Sequence, residues 1–163
     1  MVRWLGLAAL VVVVDQLAKG GVVATLAYGE ERPLLSVLSL VLWHNEGAAF
    51  SMLSNAGGWQ RWFFIALATG FVAFILHELR RLPQEHRAMG WVYALIMGGA
   101  IGNLIDRAVN GYVVDFVLVH WRSWYFPAFN VADAALSVGA AIWILVMIAE
   151  YRRERGSRGQ ESA

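Results

Sequence analysis

Cysteine is absent from this chain of 163 residues, and proline occurs only three times. The first absence excludes disulfides, thiolate metal sites and a thiol nucleophile, and it leaves no trace of the redox compartment. The second, together with the lack of any Ser/Gly-rich run, low-complexity tract or internal repeat, leaves nothing to read as a linker, so one domain over residues 1–163 is expected. Charge is scarce too, at 15% of residues with a net of +1. The four histidines, His44, His77, His86 and His120, have no ligand spacing with acidic partners. Neither HExxH nor GxSxG occurs, so a metal site is not expected and the usual metalloprotease and serine-hydrolase signatures are missing.

What fills the chain instead is apolar: 59% hydrophobic and 13% aromatic residues, with a mean hydropathy of +0.54, a membrane composition. A hydrocarbon core about 30 Å thick needs roughly 20 mostly apolar helical residues. Four stretches meet that need, at about Trp4–Leu26, Trp62–Leu79, Ala88–Ile105 and Asn130–Ala149. The first is read as a retained helix and not as a cleaved leader, because it is long and carries Asp15 and Lys19 in its second half. Basic residues gather at Arg3, at Arg80, Arg81 and Arg87, and at Arg152, Arg153, Arg155 and Arg158. By the positive-inside rule these segments and both termini belong in the cytoplasm, which puts residues 27–61 and 106–129 on the outer face. Those segments are rich in β-branched and aromatic residues, Leu34–Leu53 around an Asn-Glu-Gly turn and Tyr112–Trp121, and predict short strands forming a small cap. The expected fold class is an all-α membrane protein with four transmembrane helices and this β-rich outer cap. Trp4, Trp43, Trp59, Trp62, Trp121 and Trp124 all fall near predicted membrane boundaries, where amphipathic rings settle.

Charged residues near a bilayer centre cost on the order of 3 kcal/mol each on insertion scales, so they face the bundle interior and often mark function. Here Asp15, Lys19, Asn103, Asp106, Arg107, Asp115, Asn130 and Asp133 all lie toward the outer half. Asp15 and Lys19 share a face at i, i+4, either as an internal ion pair or with Lys19 reaching a substrate or loop carbonyl. No serine has a persuasive context as a partner for Lys19, and Ser137 reads as a small packing residue. Gly98 and Gly102 have the spacing that lets another helix approach closely. Asp106 and Arg107 read either as a surface charge pair at a polar helix end or, for Arg107, as a clamp on an extended loop or peptide carbonyl. Asn130 and Asp133 fit an N-cap and its N3 partner, a variant of the capping box. Asp115, flanked by Val and Phe, gains nothing by capping, and an apolar surrounding raises its pKa. Two carboxylates in one low-dielectric site share a proton, and one can then activate water while the other polarises a carbonyl.

Four segments resemble the motifs of a known family. "DQLAK" (Asp15–Lys19), "NEGAAFS" (Asn45–Ser51), "GNLIDRAVNGYVVDF" (Gly102–Phe116) and "FNVADAALSVG" (Phe129–Gly139) are similar, in order and context, to those of signal peptidase II, the bacterial inner-membrane aspartic peptidase that processes lipoproteins. The resemblance implies release of signal peptides from prolipoproteins by cleavage on the amino side of a diacylglyceryl cysteine. It makes Asp115 and Asp133 the catalytic pair, with Asn45, Asn103, Arg107 and Asn130 lining the site and Asp15, Lys19 and Gly99 supporting it. It implies no metal or cofactor, contact with membrane lipid, inhibition by the cyclic peptide globomycin and no nucleic-acid partner. Two other classes remain. A small transporter or proton-conducting protein would spread polar residues through the whole bilayer, whereas the inner halves of the second and fourth stretches are almost wholly apolar. A scaffold subunit would use the aspartates only as caps and pairs.

Overall fold

The structure, a computed structural model, describes residues 1–47, 57–83 and 85–161. Within them the order is α1 (Val2–Thr25), β1 (Glu31–Leu35), β2 (Leu38–Asn45), α2 (Trp59–Arg81), α3 (Arg87–Val109), β3 (Val113–Trp121), β4 (Trp124–Tyr125) and α4 (Val131–Glu161). Each helix contains a stretch long and apolar enough to cross a membrane, ending at Arg153 in α4. Burial separates them: 56% of the α3 window is buried against 11–22% in the others, so α3 is the central post and the rest present apolar faces outward. The last six residues of the Leu34–Leu53 segment and most of the "NEGAAFS" motif, from Ala48 onward, lie outside the described residues.

Small residues make α3 central. A methyl group added to Gly98 would come within 2.8 Å of the Ala8 carbonyl of α1, and one added to Gly99 would collide with the Ala132 carbonyl of α4. Hydrogen at these two positions therefore sets both helix separations, in the way small residues do where no hydrophobic effect drives helix association. Toward the far end, Trp4, Ile75, Leu79, Val92 and Met97 join α1, α2 and α3 in one apolar cluster. Trp4 is thus also a core residue, and Trp91 meets it edge-on at 5.8 Å.

The four strands form an antiparallel sheet in the order β1-β2-β3-β4 at one end of the bundle. The β1–β2 turn falls between Leu35 and Leu38, and β2 then runs to Asn45, whose side chain accepts a hydrogen bond from Gly47 N at 3.0 Å and so starts the Asn-Glu-Gly turn. Side chains alternate across the sheet. Val114 and Phe116 of β3, with Leu42 of β2, pack on Val22 and Leu26 at the end of α1. The alternation turns Val113 and Asp115 to the opposite face, so a carboxylate in a Val/Phe run follows from the two-residue repeat of the strand.

Two helix ends differ from expectation by four residues or more. The third helix continues past Ile105 to Val109, because Asp106 and Arg107 find partners and Arg61 donates from Nη2 to the Ala108 carbonyl at 2.8 Å, holding the last turn. The fourth continues past Ala149 to Glu161, beginning with the Arg- and Glu-rich helix formers of residues 150–155. Gly99→Val is expected to cost about 1–3 kcal/mol or more through overpacking at α4. Gly70→Val, where nothing lies within 4 Å, serves as the neutral control. Thermal unfolding of both variants in detergent checks the contrast.

Candidate active site

The site forms where the head of α4, the end of α3 and strand β3 meet. Asn130 and Asp133 make the reciprocal capping pair: Asp133 N donates to Asn130 Oδ1 at 2.9 Å, and Asn130 N donates to Asp133 Oδ2 at 3.3 Å. The cap does not exhaust either side chain. Asn130 Nδ2 donates to Asp115 Oδ1 at 2.8 Å, and Asn103 Nδ2 donates to Asp133 Oδ1 at 2.7 Å. Asn45 Nδ2 of β2 donates to the other Asp115 oxygen at 2.9 Å. Asn130 therefore touches both carboxylates, one through its amide and one through its backbone.

A second layer supports this one. Lys19 Nζ lies 2.8 Å from Asp15 Oδ2 and 2.8 Å from Asp106 Oδ2, and it donates to Asn103 Oδ1 at 3.2 Å. That orients the Asn103 amide toward Asp133. The second Asp15 oxygen accepts from Ala132 N at 2.8 Å, capping a free N–H of α4, and Asp106 Oδ2 also accepts from Val114 N at 3.1 Å, beside Asp115. Gln16 Nε2 reaches Asp106 Oδ1 at 2.9 Å. The two readings of Lys19 thus resolve in favour of the internal ion pair, with Asp106 as a second carboxylate. Asp106 is 3% exposed and bonded to Lys19, which excludes the surface pair with Arg107.

Gln16 was not singled out in the sequence, and Asp106, counted there among the polar residues of the outer half, was given no role in the site. Asp106 follows Asn103 by three residues and shares its helix face, and Gln16 lies inside the first motif; those spacings were the available signals. Arg107, four residues after Asn103, turns to the loop after β2, donating from Nη2 to the Gly47 carbonyl at 2.8 Å, and its guanidinium stands 4.9 Å from the centre of the Phe64 ring. Gly99 stands apart, at the α3–α4 contact and not in the lining.

Both aspartates face a cavity of about 660 Å³, which Asn45, Asn103 and Arg107 also line. Its remaining wall is mostly apolar, from Phe126 to Phe129 and along α4 to Val138. Ser137, expected as a packing residue, also lines this wall, one turn beyond Asp133. Burial pushes the Asp115 carboxyl up to about 7; the nearby Asp133 charge adds to the rise, and hydrogen bonds from Asn45 and Asn130 oppose it. Among the described residues no group of three or more His, Asp or Glu side chains is arranged to hold a metal ion.

Four helices of membrane length with a small antiparallel sheet, and carboxylates and carboxamides gathered in a cavity at one end of the bundle, define the class of polytopic membrane proteins. Two solved bacterial membrane enzymes share the architecture. One, determined by the in meso method at 2.3 Å, aligns with a TM-score of 0.84 and 27% identity over 93% of this chain and 90% of that one. The other, at 1.9 Å, aligns with a TM-score of 0.79 and 28% identity over 90% and 93%. Residues 7–149 match the family described as Signal peptidase (SPase) II. The lipoprotein signal peptidase of Burkholderia ambifaria (strain MC40-6) is 50% identical over 95% of this chain and 91% of its own length. That of Burkholderia vietnamiensis (strain G4) is 48% identical over the same shares. The chain belongs to the signal peptidase II family, a family of aspartic peptidases, and is an enzyme of that type.

Lys19→Met would leave Asp15 and Asp106 buried without their cation, and breaking a buried pair from one side costs about 3–5 kcal/mol. The expected result is a strongly lowered Tm of the detergent-purified protein, together with loss of activity, since Asn103 loses its orienting donor. An unchanged Tm would show that Lys19 is dispensable to the network.

Proposed function

We propose that the chain releases signal peptides from prolipoproteins, cleaving on the amino side of a diacylglyceryl cysteine with a water activated between Asp115 and Asp133. The observation that carries this reading is the Asn130 bridge, which binds Asp115 and Asp133 into one unit at the wall of a cavity with an apolar side. The raised Asp115 carboxyl supports a pair that keeps one proton near neutral pH. In the reaction the ionised carboxylate takes a proton from water as its oxygen attacks the scissile carbonyl, while the protonated partner donates a hydrogen bond to the carbonyl oxygen. The tetrahedral adduct then collapses, the C–N bond breaks, and the carboxylate that took the proton returns it to the departing amine. Asn103 and Asn45 hold the two carboxylates at fixed orientation through this exchange.

The acyl chains of the substrate need an apolar surface beside the dyad, and the wall along Leu136 and Val138 of α4 offers one. Globomycin, a cyclic peptide, would compete for the same cavity. The clusters of arginine at Arg80, Arg81 and Arg87, and after Arg152, support cytoplasmic termini and a site at the outer face of the bacterial inner membrane, with the chain working as one membrane-embedded unit. Arg107 and the Asn-Glu-Gly turn it holds would contact the substrate backbone beside the dyad.

Asp115→Asn and Asp133→Asn are each expected to lower cleavage of a diacylglyceryl-prolipoprotein by about 10³-fold, within the range for general acid–base groups, without lowering Tm by more than a few degrees. A gel-shift cleavage assay reads the first and thermal unfolding the second; near wild-type cleavage by either variant would remove that aspartate from the chemistry. The pH dependence has a definite sign. Because the Asp115 carboxyl sits at about 7, activity should fall on the alkaline side as the shared proton is lost, with an apparent midpoint near or above that value. Folded Asp115 holds a proton that the unfolded chain releases above the ordinary value of 3.8, so stability should decline as pH rises from there to about 7. Asp115→Asn should reduce that slope, which equilibrium unfolding across the range would measure.

A further inference from the structure

The end of the sheet away from the aspartates has no role in the chemistry, yet it carries a concentrated apolar surface. The turn joining β1 to β2 and the turn joining β3 to β4 lie side by side, since Leu38 pairs with Val119 and His120 N donates to the Val37 carbonyl at 3.0 Å. Between them these tips expose Leu34, Leu35, Val37, Trp121, Trp124 and Tyr125, with Trp121 at 63% and Leu35 at 62%. On a body surrounded by water such a patch is an aggregation hazard, doubly so on β1, an edge strand among the described residues.

Three further observations say what covers it. The middle of the sheet packs Phe116, Val117 and Leu40 against the side of α1 around Ala18, Val22 and Leu26, within the last turns of an apolar span. The sheet therefore lies at the depth of the helix end and is not raised above it. The composition of the tips, two tryptophans and a tyrosine around Arg122, matches what sits at a membrane–water boundary, where rings lie at headgroup level and a long basic side chain carries its charge outward. The polarity is also directional along β1. Its opposite end holds the exposed Glu30–Arg32 pair, with Arg32 donating to the Thr25 carbonyl at 3.3 Å, so charge stays near the helix end and apolar side chains lead outward.

We propose that the two hairpin tips insert together into the lipid leaflet at the sheet end of the bundle, as a second membrane anchor beside the four helices. Because β3 carries Trp121 at one end and Asp115 near the other, the anchor also fixes the depth of Asp115 relative to the head of α4. The inference rests on the membrane-spanning fold and not on the peptidase reaction, so its test needs no substrate.

The cysteine-free sequence makes that test direct. Ser36→Cys and Ser123→Cys place single thiols at the two turns, and Glu31→Cys places one at the charged end of β1; all three sites are exposed. With nitroxide labels, in vesicles of phosphatidylcholine and phosphatidylglycerol, Ser36 and Ser123 should relax more with oxygen, which concentrates in lipid, than with a water-soluble nickel complex. Glu31 should show the reverse. Adding Trp121→Asp and Trp124→Asp should move the Ser123 label to the behaviour of Glu31. Nickel access at both tips equal to that at Glu31 would overturn the proposal, as would spin–spin broadening that grows with protein density, which would identify a second copy of the chain as the cover.

Discussion

One ammonium group holds three helices and a strand in register. Lys19 of α1 stands between Asp15 and Asp106, and each of those carboxylates also accepts from a backbone N–H elsewhere, Ala132 at the head of α4 and Val114 in β3. Three ionised groups buried to this extent are costly unless each is paired and hydrogen-bonded. The pairing here leaves one negative charge in excess, and the N-terminus of α4 offsets it with a free N–H and its positive dipole end. The elements that carry Asp115 and Asp133 are thus bonded to the same cluster, and neither could shift without exposing a buried charge.

That cluster depends in turn on what α3 lacks. Glycine at 98, 99 and 102 lets the backbones of α1 and α4 approach until Asp15 can reach across to Ala132, and a methyl at Gly102 would meet the Asp15 carboxylate at 2.7 Å. Polar bonding and close packing are one arrangement, since hydrogen bonds of about 2.8 Å between helices form only where no side chain intervenes. The same economy explains Asp133. Its service as a helix cap and its place beside Asn103 in the cavity are not alternatives: the reciprocal bonds with Asn130 are what hold the carboxylate at the helix head.

The proposed reaction asks a pair of carboxylates in a low-dielectric space to keep one proton between them. The proposed pair draws Asp115 from a strand and Asp133 from a helix. Strand alternation and helix capping are independent local rules, and carboxamides from Asn45, Asn103 and Asn130 connect their outcomes. Carboxamides suit the proposed role because they donate to a carboxylate without adding a charge.

Much of this was legible along the chain. Four apolar stretches of sufficient length, the cap at Asn130 and Asp133, the i, i+4 relation of Asp15 and Lys19 and the strand character of Tyr112–Trp121 are all local patterns, set by a helical repeat of 3.6 residues, a strand repeat of two and the length needed to cross a bilayer. The tertiary structure alone decided that Asp106 is buried against Lys19 and not paired at the surface with Arg107, that Gln16 joins them, that Trp4 is core, and that Asn130 bonds to both aspartates. Those partnerships connect residues up to 90 positions apart in the chain. No periodicity records them, because which carboxylate meets which cation depends on how closely the helix backbones approach, a property of packed surfaces and not of any one segment.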